Sequence, residues 1–184
     1  MIINYLKQLR IRSLRDAAII GAVVGVLGFF TLSSCSKKPN YISPDDVYSH
    51  IVQTVDGTGI DPDFVYALAW AESSLNENAR SSVARGLMQM TKIAWTEVSD
   101  TSFSNAWDWK TSIEVGVDYL LFARNFLEKN NVLSYPLLAA SYHYGPYYVQ
   151  KKGFRISNLK KPRNEIYKLL FAGNYQPVVP PAID

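Results

Sequence analysis

The chain of 184 residues has one cysteine, Cys35, which excludes an internal disulfide. Two histidines and that cysteine leave no credible zinc site, and nothing in the sequence asks for a metal or other cofactor. Net charge is also scarce past the N-terminal segment. From residue 36 onward there are 15 basic and 15 acidic side chains. This lacks the electrostatic footprint of a nucleic-acid binder, so no nucleic acid is expected as a partner. There is no internal repeat and no strand-rich stretch. The apolar run Ala17 to Leu32 is short for a spanning helix, which needs about 20 residues.

What is present begins with an address. Lys7, Arg10, Arg12 and Arg15 are opposed only by Asp16, and the apolar run follows. A basic segment, an apolar segment and then small residues read as an export signal. The small residues are Leu32-Ser33-Ser34-Cys35, which resemble the bacterial lipobox. The resemblance implies cleavage before Cys35 and a lipid on its sulfur, anchoring the protein to a membrane. Ser36, rather than Asp, then implies the outer membrane, facing the periplasm. The alternative is an uncleaved membrane anchor. Residues 1–34 are thus expected as a lipoprotein signal peptide, and residues 35–44 as a tether.

The remainder reads as helical. Ser43-Pro44-Asp45-Asp46 offers a capping hydroxyl, a first-turn proline and acids at the dipole's positive end. Asp61-Pro62-Asp63 starts a second helix in the same way, apolar nearly all round over residues 64–71 and therefore buried. Residues 73–90 have no clear period and read as a loop or short hairpin. Residues 91–98 suit a short helix. Asp108 or Thr111 caps a longer one, with Ile113, Val117, Leu120, Leu121 and Leu127 at spacings of three and four. Asn130-Asn131 closes it. Short helices follow at 137–144 and after Pro162, and Pro177, Pro180 and Pro181 mark a frayed tail. The 12 Tyr, 8 Phe and 4 Trp suit sugar rings, although a large core also uses them. Lys151, Lys152, Arg155, Lys160, Lys161, Arg163 and Lys168, opposed only by Glu165, read chiefly as a solvated face.

Glu72 is the most informative residue. It ends the apolar helix Phe64-Val65-Tyr66-Ala67-Leu68-Ala69-Trp70-Ala71. Burial disfavours the charged form of a carboxyl group. An acid that keeps its proton near neutral pH can give it to a leaving oxygen, as cleavage of a glycosidic bond requires.

Three segments then agree in order and spacing. They are Ala71-Glu72-Ser73-Ser74, Ser81 through Gly86-Leu87-Met88-Gln89, and Ser141-Tyr142-His143-Tyr144-Gly145-Pro146. Together they resemble the soluble lytic transglycosylase-type domain, of lysozyme-like fold, over about residues 45–172, leaving 173–184 as a C-terminal tail. The resemblance implies a mainly α, lysozyme-like helical domain, with a small β-hairpin expected near 76–88. It implies Glu72 as the catalytic acid, and substrate contacts from Ser81, Met88, Gln89, Tyr142, His143 and Tyr167, the last pointing towards the acid. Ser112-Ile113 with Gly116 resembles the family's packing-helix segment. His143 stands where the family usually has Asn, Tyr144 where it has Ala, and Ser112 where it has Asn.

The implied reaction cleaves the β-1,4 bond between N-acetylmuramic acid and N-acetylglucosamine in peptidoglycan glycan strands. One carboxyl serves as acid and then base, and a 1,6-anhydro product results. No obvious second carboxylate serves a two-acid scheme. Glu77 reads as a loop residue facing water, Asp108 as a cap and Asp118 as a solvated helix residue. Three rival readings stand beside it: a lysozyme-like hydrolase, a non-catalytic peptidoglycan-binding lipoprotein, and a structural envelope lipoprotein.

Overall fold

In the computed structural model, residues 37–182 are described. The expected leader, signal peptide and lipidated Cys35 lie outside the described residues. Residues 38–182 form one structural unit.

Helix α1 (Pro44–Val55) starts as the sequence predicts, with proline in the first turn and Asp45 and Asp46 behind it. The Ser43 hydroxyl makes no capping bond; its carbonyl instead accepts from the Val47 N–H at 3.0 Å. Val47, Ile51 and Val55 form the buried stripe. Helix α2 (Pro62–Ser73) is capped by Asp61, which accepts from the Asp63 N–H at 2.8 Å. Phe64 through Ala69 are all buried, so α2 is the central helix of the domain. Immediately after it Ser74 and Leu75 both take left-handed conformations, at φ 54° and 63°. Such a conformation is costly for a branched side chain, and the buried Leu75 holds the turn in place.

The hairpin lies slightly later than predicted. Strand β1 (Ala84–Arg85) pairs antiparallel with β2 (Met90–Thr91). Thr91 caps α3 (Lys92–Val98). A short 3-10 helix (Phe103–Trp107) leads to α4 (Trp109–Lys129), where Asp108, not Thr111, is the cap. That cap bond, from the Thr111 N–H at 2.8 Å, holds the Asp108 carboxyl below its ordinary pKa. Ile113, Val117, Leu120, Ala123 and Leu127 form the buried stripe of α4. Asn130 ends it, and Asn131 turns left-handed at φ 56°.

Helix α5 (Tyr135–Tyr144) is capped by Ser134, and α6 (Pro146–Lys151) follows across Gly145. A 3-10 turn (Ile156–Asn158) precedes α7 (Glu165–Phe171), capped by Asn164 rather than begun by Pro162. Helix α4 packs against α1, α3 and α5, while α7 packs against α2 and α5. The expected mainly α fold with a small two-stranded hairpin is therefore what the chain adopts. Among the described residues no helix is long and apolar enough to cross a membrane.

Two segments differ from their expected looseness. Residues 38–42, predicted within the tether, lie along residues 75–78. The Ile42 N–H donates to the Leu75 carbonyl at 3.0 Å, and the Glu77 N–H to the Asn40 carbonyl at 3.0 Å. Glu77 itself accepts from the Asn40 amide at 2.6 Å. The tail predicted to fray is pinned too. Tyr175 stacks on Tyr135 at 4.6 Å, Gln176 donates to Asp63 at 3.0 Å, and Val178 packs on the core. Aromatic stacking and side-chain amides outweigh the local signal from the prolines.

Candidate active site

Glu72 sits in the last turn of α2. Its position is fixed from two sides. The left-handed Ser74 turn stops the helix, and the Asn164 amide donates to the Ala71 carbonyl at 3.1 Å, tying α2 to the start of α7. From α7 the Tyr167 hydroxyl donates a hydrogen bond to Glu72 Oε1. Burial, then the Glu72 charge and that hydrogen bond, push the Tyr167 phenol well above its usual pKa. It therefore stays protonated and is a standing donor to the carboxylate. His143 Nδ1 lies 3.9 Å from the same oxygen. The imidazole is wedged between Tyr167, 4.3 Å away, and Tyr144, 4.5 Å away. The Glu72 side chain is 16% exposed, sheltered yet open to one side.

That side is a cleft of about 580 Å³. Of the residues predicted from sequence, Glu72, Ser81, Gln89, Tyr142 and His143 line it together. Each is also held by the domain itself. Ser81 Oγ accepts from the Ala84 N–H at 3.0 Å and closes the turn before β1. The Gln89 amide donates to the Gly86 carbonyl at 2.9 Å. The Tyr142 hydroxyl donates to the Met88 carbonyl at 2.9 Å. Burial, then the Glu72 charge, push its phenol well above the usual value.

Two predicted contacts lie elsewhere. Met88 is wholly buried and does not line the cleft, because Gly116 on α4 leaves room beneath it and the Ser112 hydroxyl accepts from its N–H at 3.1 Å. Tyr167 lies beneath Glu72 and also stays out of the lining. The Tyr142 bond gives a direct test. Tyr142→Phe leaves the Met88 carbonyl without this donor, so unfolding stability should fall by about 1–3 kcal/mol. Denaturant melts read the change.

The sequence reading missed several lining residues. Glu97 on α3 is a second cleft carboxylate, where none was expected. Tyr119 and Phe122 on α4, and Tyr147 and Tyr148 on α6, supply aromatic wall. Ile93, 81% exposed, forms part of the rim. The signals existed: Ile93 and Glu97 are four apart, Tyr119 and Phe122 three apart, so each pair shares a helix face. Only the meeting of those faces was out of view. The candidates dismissed from sequence, Glu77, Asp108 and Asp118, stay outside the cleft lining.

A helical domain that presents one sheltered carboxylate, backed by a phenol, to an aromatic cleft is of the lysozyme-like class. The sequence model of the Transglycosylase SLT domain matches residues 50–165, and the chain belongs to that family. The family marks it as a transglycosylase-type enzyme of peptidoglycan, acting in the bacterial envelope. No curated protein and no solved structure matches the chain.

Proposed function

We propose that this protein is a membrane-anchored lytic transglycosylase in which Glu72 acts first as acid and then as base. The observation that carries this reading is the asymmetry of the Glu72 carboxylate. Oε1 takes the Tyr167 bond and faces His143. Oε2 has no hydrogen bond among the described residues, which leaves it to meet substrate in the cleft. In the first step Oε2–H gives its proton to the oxygen linking N-acetylmuramic acid to N-acetylglucosamine, and the C1–O bond breaks. The resulting carboxylate takes the proton of the muramyl 6-hydroxyl. The 6-oxygen bonds to C1, closing the 1,6-anhydro ring. Glu72 is reprotonated, so protons balance and no water is consumed. The Tyr167 donor steadies the carboxylate between the two steps, a fixed dipole at the place where charge appears.

Ser81, Gln89, Tyr142 and His143 are proposed to shape the sugar subsites. The aromatic faces of Tyr119, Phe122, Tyr147 and Tyr148 suit pyranose rings. The lipobox-like Leu32-Ser33-Ser34-Cys35 supports anchoring through a lipid on Cys35, and Ser36 in place of Asp supports the outer membrane. One observation favours a second reading, the lysozyme-like hydrolase: Glu97 shares the cleft with Glu72 and could activate water. The product decides. Digestion of purified peptidoglycan should give anhydro-muropeptides, each lighter by one water than its hydrolytic counterpart in mass spectrometry. Reducing-end products would instead assign Glu97 the water-activating role.

A further inference from the structure

The segment between α6 and α7 carries Lys151, Lys152, Arg155, Lys160, Lys161 and Arg163 and no acid. Among the described residues none of these six forms an ion pair, whereas Lys168 is taken by Glu165 at 2.6 Å. The apolar residues of the segment turn inward. Leu159 and Pro162 are buried, and Phe154 and Ile156 pack half-buried on the core. Arg155, Lys160, Lys161 and Arg163 alternate with them and are exposed. The backbone is fixed at three points. The Phe154 N–H donates to the Val149 carbonyl at 3.0 Å, the Asn158 amide to the Lys152 carbonyl at 2.9 Å, and the Tyr144 hydroxyl to the Lys160 carbonyl at 2.6 Å. Like charges held together in this way repel one another, and an anionic surface relieves the repulsion.

The place of the segment says which surface. Asn164, the next residue, donates to the Ala71 carbonyl in the last turn of α2 at 3.1 Å. Leu75, just past that helix, accepts from the Ile42 N–H. The basic segment and the bound residues 38–42 therefore meet at the same end of α2. The Lys38 carbonyl is already held, by the Asn78 amide at 2.8 Å. Cys35 is three residues before it, a reach of at most about 10 Å.

We propose that this basic segment docks the domain on a surface of anionic phospholipid, the bilayer to which a lipid on Cys35 would tie it. The inference rests on the anchoring reading given above. With residues 38–42 bound to the domain, the tether is too short to hold it clear of the bilayer. None of the six bases lines the Glu72 cleft, so docking and cleavage use different side chains. Each lysine or arginine near such a surface strengthens binding about fivefold.

The test adds the full chain to preformed vesicles of phosphatidylcholine, with or without phosphatidylglycerol. Lysines are acylated with a water-soluble amine reagent and read by peptide mass spectrometry. Lys151, Lys160 and Lys161 should react roughly fivefold or more slowly on the anionic vesicles, and high salt should abolish the difference. Lys110 and Lys129, on α4, should react alike on both. The Arg155→Gln/Arg163→Gln variant, changed at two exposed positions, should keep its Tm and lose most of the protection. Equal rates on both vesicle types would overturn the proposal. Protection by added peptidoglycan strands but not by vesicles would also overturn it, assigning the segment to the wall polymer. Flotation with pure phosphatidylcholine vesicles reads the anchor separately. If the chain stays in solution there, the anchoring reading fails. Flotation with the anionic vesicles, lost in the double variant, then still decides the basic segment.

Discussion

Glu72→Gln should reduce turnover of peptidoglycan by roughly a thousandfold or more, because a positioned acid–base group contributes about 10²–10⁴ and this one serves in both steps. The substitution is nearly isosteric. The amide oxygen can still accept from Tyr167, so this link between α2 and α7 survives. The Asn164 bond to the Ala71 carbonyl is untouched. Folding stability should therefore hold, and glycan strands should still bind. The amide cannot release a proton to the glycosidic oxygen, nor take one from the 6-hydroxyl. Release of soluble muropeptides measures the rate, and co-sedimentation with insoluble peptidoglycan measures binding. Loss of turnover with binding retained is the expected pair of results. Retained turnover would remove Glu72 from the chemistry and turn attention to Glu97, the other carboxylate of the cleft.

What was legible in the sequence follows from how local each signal is. Pro44, Pro62 and Asp108 mark helix starts through chemistry that acts within three or four residues. The stripe on α4 is a period, and a period needs no partner to be seen. Glu72 was legible because it closes such a helix and because two further motifs followed at the right distances. The stretch from 73 to 90 was not, since its shape comes from afar. The Met88 N–H is held by Ser112, 24 residues on, and its carbonyl by Tyr142, 54 residues on. Ile42 secures Leu75 from the N-terminal side. The same distance dependence explains Met88, expected in the cleft and found in the core. Its place depends on the missing side chain of Gly116, whose added Cβ would lie 3.1 Å from the methionine. The Glu97 carboxylate was invisible for a related reason: a lone acid on a short helix looks solvated until another helix is brought opposite it.

Gly86→Ala should then be the most damaging small substitution in the domain. Gly86 holds φ at +78°, which an L side chain adopts only under strain. The added Cβ would also stand 1.8 Å from the Ala106 carbonyl oxygen and 2.9 Å from its carbon. Those are backbone atoms, so no rotamer change relieves the contact. The Ser112 hydroxyl, 3.1 Å from the same point, is committed to the Met88 N–H. Either the turn at Gly86 moves or the 3-10 helix carrying Ala106 does. Strain of about 1–3 kcal/mol and overpacking of about 1–3 kcal/mol add, giving roughly 2–6 kcal/mol of lost stability. At roughly 2–4 °C per kcal/mol for a domain of this size, the Tm should fall by roughly 4–24 °C. Activity should fall as well in the molecules that remain folded. The Gly86 carbonyl anchors the Gln89 amide, and the segment it opens leads into β2 beside the cleft. Thermal unfolding and the turnover assay run on the same sample separate the two effects. A variant with native Tm would mean that the 3-10 helix yields, and activity would then be preserved together with stability.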